Sequence, residues 1–485
     1  MGFANTIEKL IQDFSEKGVQ LWLEDGKLKF RATSGALSAN DKESLKASKA
    51  DIIAFLEKKY EDEKDSFPLS PIQKSYLVGR DSIYDLGGIN THYYMELELD
   101  EAIDVERLQN AWNEVIAHDD ALRLVISSAG TQRVLETAPS YSIEIVELKS
   151  SEQRLEKRKE WSHHIYPLNQ WPFFTMRVSR VPNSKDVLHF DFDCMIMDAW
   201  SAKIALSQTF KLYRNENVQW VDYSFKDYCT DLIAYEKQQD YSQAEAFWKS
   251  KVNELVCEPD LPYAKPLSEI HNHRFSRISG ELSVEEFALF QQRCREYRTT
   301  PAAVISTVYL KALLDFSKKD SLTINSTLFN RIPLHKDINS VVGDFTNIAF
   351  ITLSKKCKNF LECVQSVQKD MWQLVRFHTF DGTKILKFKE GLSPMRAQMP
   401  IVITCVLENG QKSNSDMSEG LHQIYALSKT PQVVLDYQVT NFDGKLSVNW
   451  DYAEPAFAPE TLKQMFAANV GLLKRLLTEK WEEVL

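Results

Sequence analysis

Apolar and polar positions at the start of the chain follow a helical spacing, then a strand spacing, then a helical spacing again. The first apolar stripe has helical period and consists of Ile7, Leu10, Ile11 and Phe14. GVQLWLEDGKLKFRA then alternates on both sides of Asp25-Gly26, which is the strongest short hairpin signal. Ser38 and Asp41 have the spacing of a capping box, and a helical stretch follows them. The pattern predicts a small separate unit over residues 1–58, made of a helix, a hairpin and a further helical stretch.

The second strand of this hairpin carries a basic face. Lys27, Lys29 and Arg31 alternate with apolar residues, so the three cations point to one side of the strand. Such a face is typical of a docking module that recruits an acidic partner segment by strand addition. It is equally typical of a small structural extension with a solvated surface, and the spacing leaves both interpretations open. The highly charged stretch EKKYEDEKDS then predicts a linker at residues 59–66.

After residue 66 strand-like runs and helical runs are mixed. Runs such as THYYMELELD and QVVLDYQVT read as strands, and VERLQNAWNEVIAHDDALR reads as a helix. The mixture predicts an α/β (α+β) fold that is too long for one simple core. We therefore expect two lobes, an N-terminal lobe over residues 67–240 and a C-terminal lobe over residues 241–485.

Composition narrows the classes of function. The 485 residues are 44% hydrophobic, and 68 acidic residues outnumber 58 basic ones. This acidic balance argues against a nucleic-acid-binding protein, which needs a basic face. No apolar run approaches the length of a membrane span, so we expect no membrane partner. The seven cysteines are scattered without a C-x-x-C pair, which fits a reducing cytoplasm and offers no zinc cage.

The stretch DFDCMIMDAWS, residues 191–201, concentrates carboxylates in an apolar context. His189, Asp191 and Asp193 would share one face of a strand, which is a possible row of metal ligands. The alternative is a strand end whose polar side chains face a cleft or solvent. Because no further Cys/His cluster accompanies them, we expect no metal site.

Asp193 and Asp198 cannot act side by side on one regular element. Five residues place them about 140° apart on a helix and on opposite faces of a strand. Each aspartate therefore needs its own partner, and a buried aspartate most often meets an arginine. The candidate partners are Arg80, Arg123 and Arg331.

Asp193-x-x-x-x-Asp198-x-x-Ser201 resembles the DxxxxDxxS signature of heterocyclization domains of nonribosomal peptide synthetases, where ordinary condensation domains carry HHxxxDG. Further motifs of that family follow the same order along the chain: FPLSPIQKSYLVGR, NRIPLH, GDFT, MPIVIT and SKTPQVVLDYQ. The matches run from residue 67 to Asp451. Cys194 departs from the condensation pattern, since it stands where those domains have their second, catalytic histidine. The first 58 residues resemble docking domains of the tubulysin-synthetase type. This resemblance implies a small αββαα docking domain and favours the docking interpretation of the basic strand.

The resemblance implies two chloramphenicol-acetyltransferase-like lobes that form a V-shaped pseudo-dimer around a central tunnel. It implies an enzyme that joins an upstream acyl or peptidyl group to carrier-bound cysteine, serine or threonine and cyclodehydrates the amide to a thiazoline or oxazoline. The substrates would arrive on 4′-phosphopantetheine arms, with no tightly bound cofactor. The implied partners are the upstream carrier protein and C-terminal docking tail of the preceding subunit, and a downstream peptidyl carrier protein with its adenylation domain.

The resemblance also assigns residues. Thr404 and Asp436 match the residues credited with cyclodehydration, in which an acid protonates the leaving oxygen and a base takes the nitrogen proton. Gln432 is assigned to orienting the amide. The loop-shaping or tunnel-lining positions are Asp193, Asp198, Ser201, Arg331, Asp344 and Thr346, with Asp198 expected to hold its loop through Arg331. Two alternatives stay open, an ordinary amide-forming condensation domain and a catalytically silent carrier-docking module, and the sequence does not identify the acceptor amino acid or the acyl donor.

Overall fold

The structure is a computed structural model that describes residues 7–484 apart from 8–9, 12, 15–16, 18, 25–26, 33–36, 394, 408–419 and 442–443. The chain forms two compact units. The first comprises Met1–Phe67 with Thr131–Val134, and the second comprises Pro68–Gly130 with Leu135–Leu485.

The first unit contains the predicted hairpin. Its strands β1 (Val19–Glu24) and β2 (Lys27–Ala32) pair antiparallel, with Leu21 opposite Phe30 and Trp22 opposite Lys29. The predicted turn residues, Asp25 and Gly26, lie outside the described residues, as does part of the predicted first helix.

Two helices follow the hairpin, α1 (Ala39–Ala47) and α2 (Lys49–Lys64). The capping box is confirmed, because Ser38 Oγ accepts the Asp41 amide and Asp41 Oδ2 accepts the Ser38 amide. Helix α2 runs through most of the stretch 59–66, where the sequence predicts a linker. Glu and Lys are good helix formers, so a charged run after an established helix prolongs it. The position of the domain boundary stays a prediction.

The remaining elements alternate strands with helices. The strands are β3 (Phe67–Pro68), β4 (His92–Leu99), β5 (Leu124–Ile126), β6 (Thr131–Val134), β7 (Glu144–Glu147), β8 (Phe174–Arg180), β9 (Val187–Asp193), β10 (Phe275–Leu282), β11 (Ser321–Phe329), β12 (Thr346–Ser354), β13 (Ile401–Val406), β14 (Leu421–Lys429), β15 (Leu435–Thr440) and β16 (Leu446–Ala453). The helices are α3 (Pro71–Gly79), α4 (Val105–His118), α5 (Ser151–Trp161), α6 (Ala199–Tyr213), α7 (Phe225–Tyr235), α8 (Gln239–Lys251), α9 (Val284–Glu296), α10 (Pro301–Leu314), α11 (Phe360–Arg376), α12 (Gly382–Ile385) and α13 (Pro459–Thr478). The predicted mixed α/β class is confirmed.

Two large sheets organise the second unit. The N-sheet has the strand order β14-β4-β9-β8-β7, and the C-sheet has the order β10-β16-β15-β13-β11-β12. Strand β14 comes late in the chain but pairs antiparallel with β4, so it crosses the lobe boundary predicted at residue 240. A local hydrophobic pattern does not reveal this crossing, because the pattern of a strand does not name its neighbour.

Helices cover these sheets with apolar faces. Helix α4 begins at the cap residue Asp104 and buries Trp112, which meets Phe174 and Phe190 edge-on. Helix α10 starts with the cap Thr300 and is buried along nearly all of its length in the core of the C-sheet. In the part of the chain that the structure describes, no helix is both long and apolar enough to cross a membrane.

Candidate active site

A cavity of about 270 Å³ is lined by residues from both sheets. The lining residues that matter for the chemistry are Tyr76, Tyr93, Cys194, Asp198, Thr404 and Asp436. The predicted catalytic pair therefore faces the same space as the signature aspartate Asp198. Asp193 and Ser201 do not line the cavity.

Thr404 and Asp436 come together because β13 and β15 are parallel neighbours. The register places Val402 opposite Asp436 and Thr404 opposite Gln438. Thr404 Oγ1 lies 3.4 Å from Asp436 Oδ1 and 3.1 Å from Thr327 Oγ1, so its proton can go to either oxygen. A hydroxyl and a carboxyl thus meet in a buried place, as the acid/base step requires.

The environment of Asp436 favours its protonated form. Burial raises the pKa of Asp436 to about 7, the neighbouring carboxylate Asp451 adds to the rise, and the hydrogen bond from Gln438 opposes it. The Gln438 amide donates to Asp436 Oδ2 at 2.7 Å. A carboxyl with such a pKa holds a proton at neutral pH and also releases it readily, which suits a general acid and base.

Sequence reasoning missed several neighbours of this pair. Gln438 follows Asp436 by two residues on one strand, so the strand period alone places both on one face. Thr327 gives no such signal, because it lies on β11, far away in sequence. Asp451 marks only the end of the matched motifs in the sequence, yet it stands directly opposite Asp436 across β15 and β16.

Gln432 lines the cavity but does not contact the Asp436 carboxyl through any hydrogen bond that the structure describes. Its backbone has φ 62°, and its amide donates to the Leu86 carbonyl at 3.1 Å. The side-chain amide that does reach Asp436 belongs to Gln438. The predicted role of Gln432 in orienting the substrate amide stays a prediction.

Asp198 and Ser201 tie the start of α6 to the segment that precedes β12. Asp198 caps the helix by accepting the Ser201 amide at 2.7 Å, and its other oxygen accepts the Phe345 amide at 3.1 Å. Arg331, the predicted partner, has Nη2 3.7 Å from Asp198 Oδ1 and donates to Ser201 Oγ at 2.7 Å. Ser201 Oγ in turn donates to the Gly343 carbonyl at 2.6 Å. This network holds one wall of the cavity.

Asp193 meets a different arginine. Arg80 donates to Asp193 Oδ2, and Asn90 donates to the same oxygen at 2.8 Å. The third candidate, Arg123, donates instead to the carbonyls of Ile116 and Leu135, so it pairs with neither signature aspartate. The two signature aspartates thus point apart and find separate partners.

The row of His189, Asp191 and Asp193 is fully buried in β9 rather than facing a cleft. Asp191 lies 3.0 Å from Arg177 Nη1 and 3.1 Å from His92 Nε2. His189 is hydrogen-bonded to Tyr94 and Ser179. Among the described residues, no three His, Cys, Asp or Glu side chains are arranged to hold a metal ion.

Asp344 and Thr346 lie where the sequence predicts structural or lining residues. Asp344 Oδ1 accepts the Thr346 amide at 3.1 Å, and burial raises the pKa of Asp344 well above its ordinary value. Thr346 lines the main cavity and also a smaller one of about 40 Å³, while Asp344 lines only the smaller one.

Cys194 faces the main cavity at the position of the missing histidine. Burial raises the pKa of its thiol well above the ordinary value, and the nearby aspartates reinforce that rise. The thiol therefore stays protonated at neutral pH and offers no strong base. The cavity wall does present polar atoms that no described group satisfies, namely Thr91 Oγ1, Asn325 Oδ1 and Gln398 Oε1. Buried polar atoms of this kind favour a bound molecule with complementary hydrogen-bonding groups.

In the first unit the basic residues Lys27, Lys29 and Arg31 are all exposed on β2. Trp22 stands opposite Lys29, is 40% exposed and adds an aromatic ring to the same face. Phe30 on the other face is 55% exposed. The hairpin therefore presents aromatic and cationic side chains together.

Comparison with known proteins places these features in a family. A condensation domain model matches residues 63–483, and a TubC N-terminal docking domain model matches residues 7–58. The cyclization-docking bidomain of EpoB from Sorangium cellulosum superposes with a TM-score of 0.78 and 26% identity, over 98% of this chain and 100% of that one. The synthetase FmoA3 superposes with a TM-score of 0.73 and 26% identity, over 86% of this chain and 43% of that one.

Curated relatives are much longer than this chain. Bacitracin synthase 1 of Bacillus licheniformis is 28% identical over 92% of the chain, which spans 9% of that protein. Pyochelin synthetase PchF of Pseudomonas aeruginosa is 28% identical over 97% of the chain and 27% of its own length. Phenyloxazoline synthase MbtB of Mycobacterium tuberculosis is 28% identical over 85% of the chain and 30% of its own length. The chain belongs to the condensation domain family of nonribosomal peptide synthetases and carries a TubC-type docking domain in front of that domain.

Proposed function

We propose that this chain is a heterocyclization domain that forms an amide and then closes it to a thiazoline or oxazoline. The observation that carries the proposal is the meeting of Thr404 and Asp436 in the cavity, 3.4 Å apart. Two kinds of likeness support it: the EpoB neighbour is a cyclization-docking bidomain, and MbtB is named a phenyloxazoline synthase.

The reaction begins with two thioesters carried on phosphopantetheine arms, and no tightly bound cofactor takes part. The amine of the carrier-bound cysteine, serine or threonine attacks the upstream acyl thioester, so a C–N bond forms and the upstream thiol leaves. This step depends mainly on positioning, because an amine is already a good nucleophile toward a thioester. The cavity, walled by both sheets, is where we place the meeting of the two arms.

Cyclodehydration is harder and needs proton transfer. The side-chain thiol or hydroxyl adds to the amide carbon, and its proton passes to the carbonyl oxygen. The C–O bond then breaks, water leaves, and loss of the nitrogen proton forms the C=N bond. In our proposal the Asp436 carboxyl protonates the departing oxygen and its carboxylate takes the nitrogen proton, which restores the starting state. Thr404 Oγ1 holds the oxygen of the tetrahedral intermediate beside Asp436.

The signature residues have a supporting role in this proposal. Asp198, with Arg331 and Ser201, fixes one wall of the cavity through hydrogen bonds of 2.6–3.1 Å and an ion pair of 3.7 Å. Asp193 with Arg80 fixes the end of β9. Asp344 and Thr346 shape the adjoining small cavity, and Gln432 contributes to the wall.

The test supplies the chain with an acetyl-loaded upstream carrier protein and a cysteinyl-loaded downstream carrier protein. Mass spectrometry then weighs the product on the downstream carrier. Amide minus one water supports heterocyclization. Amide alone identifies an ordinary condensation domain, and unreacted carriers identify a silent carrier-docking module. Parallel reactions with seryl and threonyl carriers identify the acceptor.

We also propose that the hairpin of the first unit binds the C-terminal tail of the preceding synthase subunit. Lys27, Lys29 and Arg31 form a basic row beside Trp22, which fits an acidic tail with an apolar anchor that adds to the sheet as a strand. The downstream carrier protein and its adenylation domain are the other expected partners, since adenylation loads the acceptor amino acid.

The docking proposal is tested by charge reversal. Lys27→Glu with Lys29→Glu and Arg31→Glu is expected to weaken binding of a synthetic peptide from the upstream subunit's C-terminus by at least about tenfold, and added salt weakens wild-type binding in the same direction. The matched control reverses Lys42 and Lys46 on α1, outside the hairpin. Equal loss in both variants, or wild-type binding indifferent to salt, contradicts a specific basic docking face.

A further inference from the structure

A row of side chains runs across the C-sheet and ends at the proposed catalytic carboxyl. The register pairs Arg277 on β10 with Asp451 on β16, and Asp451 with Asp436 on β15. Because directly opposed residues of an antiparallel pair point to the same face, these three ionisable groups are consecutive neighbours. All three are buried.

Asp451 accepts three hydrogen bonds, two from Arg277 and one from Ser428. Arg277 donates to it twice, from Nε to Oδ1 at 2.6 Å and from Nη2 to Oδ2 at 2.6 Å. The Ser428 amide on the crossing strand β14 donates to Oδ2 at 2.8 Å. Burial raises the pKa of Asp451, but the bidentate guanidinium and the backbone donor oppose that rise and favour the carboxylate.

Asp436 lacks such a partner. Its described donors are neutral, namely the Gln438 amide, the Thr404 hydroxyl and the Ser428 side chain. The Asp451 carboxylate opposite it raises the pKa of Asp436, and the charge of Arg277, which is hydrogen-bonded to that carboxylate, opposes the rise only as the last of the causes. When two buried carboxylates face each other and only one is paired with a guanidinium, the unpaired carboxylate has the higher pKa. Here that carboxylate is Asp436.

We propose that Asp451, clamped by Arg277 and the Ser428 amide, is the positioning residue that keeps a proton on Asp436 near neutral pH and so equips it as the acid of the dehydration. This inference rests on the proposed function. It assigns Asp451 and Arg277 a role in the reaction although neither lines the cavity. The crossing strand β14 also takes part in this arrangement, because Ser428 contacts both carboxyls.

Other titratable groups surround Asp436 without providing this effect. Tyr93 on β4, Cys194 after β9 and Tyr309 on α10 all sense the charge of Asp436. Each is neutral at neutral pH, because burial raises the pKa of each above its ordinary value. Two charged side chains also line the cavity, Asp198, which is paired with Arg331, and Arg396, which is paired with Glu258. Among the described residues, Asp451 and Arg277 are the charged groups that stand in strand register with Asp436.

The experiment follows the pH dependence of amide-to-thiazoline conversion, using the full chain with acetyl-carrier and cysteinyl-carrier as probes. In the wild type the conversion declines with rising pH as Asp436 loses its proton. Asp451→Asn removes the neighbouring anion and leaves Arg277 uncompensated, so this decline moves to lower pH by about one to two units. At about pH 8 the conversion falls by roughly tenfold or more and the amide accumulates, while amide formation itself is unchanged.

A second variant is expected to shift the pH profile of the conversion in the opposite direction. Arg277→Gln leaves two buried carboxylates to share one proton, so the decline moves to higher pH, and Arg277→Lys keeps it near the wild-type position. Loss of packing lowers rates but does not move a pH profile in opposite directions. The matched control is Glu96→Gln, which breaks another buried bidentate pair, with Arg158, in the N-sheet and is expected to leave the profile in place.

The shift in the titration of Asp436 can also be measured without substrate, through thermal stability. The difference in Tm between the wild type and Asp436→Asn depends on pH, and its midpoint moves to lower pH when both proteins also carry Asp451→Asn. Unmoved profiles, or shifts of the same sign in Asp451→Asn and Arg277→Gln, overturn the inference. Failure of the wild type to make any heterocycle overturns the proposed function instead, and the Tm series still decides the role of Asp451.

Discussion

The buried carboxylates of the N-sheet half and Asp436 in the C-sheet have opposite electrostatic surroundings. In the first region Asp191 faces Arg177, Asp193 faces Arg80, and Asp198 faces Arg331. In the second, Asp436 faces a hydroxyl, an amide and the carboxylate Asp451.

Burial alone therefore does not decide what a carboxyl does. Burial would raise the pKa of Asp191, but hydrogen bonds from His92 and Tyr166 and the charge of Arg177 lower it below the ordinary value. Burial raises the pKa of Asp436 and the neighbouring carboxylate reinforces the rise. The first arrangement yields fixed charges that join strands and loops, and the second yields a group that exchanges a proton.

The largest effect is expected when Asp436 can no longer carry a proton. Asp436→Asn keeps the size of the side chain but cannot act as an acid or a base. We expect heterocycle formation to fall by about a hundredfold to ten-thousandfold, with the uncyclized amide accumulating on the downstream carrier. Mass spectrometry of carrier-bound product over time measures both species.

Asp381→Asn provides the control for that loss. Asp381 is half-buried and also has a raised pKa, but it caps α12 and lines the small cavity. Its variant is expected to cyclize at the wild-type rate. Normal cyclization by Asp436→Asn would mean that the acid/base role belongs to another residue.

Substitution of a carboxylate that is paired with arginine is expected to lower the stability of the fold rather than to block cyclization selectively. Asp198→Ala leaves Arg331 buried without its counter-charge and removes the acceptor for the Ser201 and Phe345 amides. Breaking a buried pair from one side costs about 3–5 kcal/mol, so the Tm falls steeply. Amide and heterocycle should decline together with the folded fraction, and their ratio should stay constant.

Asp104→Ala separates the capping effect from the ion pair. Asp104 caps α4 by accepting the Arg107 amide at 3.1 Å in an exposed setting. Loss of a cap alone costs about 1 kcal/mol. Equal destabilisation by both variants, or a changed product ratio in Asp198→Ala, would contradict a purely structural role for Asp198.

Part of this contrast is readable from the sequence. The five-residue interval between Asp193 and Asp198 excludes a side-by-side pair, and the three candidate arginines named from the sequence include the two actual partners, Arg80 and Arg331, and one that pairs with neither aspartate, Arg123. The capping box at Ser38 is likewise a local signal, since its two partners are three residues apart. Such inferences succeed because helix and strand periods fix the geometry of nearby residues.

The electrostatics of Asp436 is not readable in this way. Motif resemblance points to Thr404 and Asp436, but their distance depends on β13 and β15 being parallel neighbours. The opposition of Asp436 and Asp451 and the placement of Arg277 depend on strand register, which involves residues far apart in sequence. The crossing of β14 into the N-sheet has the same origin.

The raised pKa of Asp436 makes the stability of the fold depend on pH. The pKa of Asp436 rises from 3.8 in the unfolded chain to about 7 in the folded one, so between these values the folded state binds the proton more tightly. Its contribution to stability is complete below about pH 4 and is lost as pH rises toward 7, by up to about 4 kcal/mol. Chemical denaturation of wild type and Asp436→Asn across this window measures the difference, and parallel curves would contradict the raised pKa.

The two hydroxyls near Asp436 are expected to differ in their effect on the rate of cyclization. Thr404→Val removes the hydroxyl without changing side-chain shape, and we expect cyclization to slow by about a hundredfold because the intermediate loses its contact beside the acid. Thr327→Val removes only the group 3.1 Å from Thr404, which leaves Thr404 free to donate to Asp436. A neutral hydrogen bond of this kind is worth about 1 kcal/mol, so the effect should stay below about tenfold. Rates of heterocycle formation at fixed pH rank the two variants, and a larger loss in Thr327→Val would move the catalytic hydroxyl from β13 to β11.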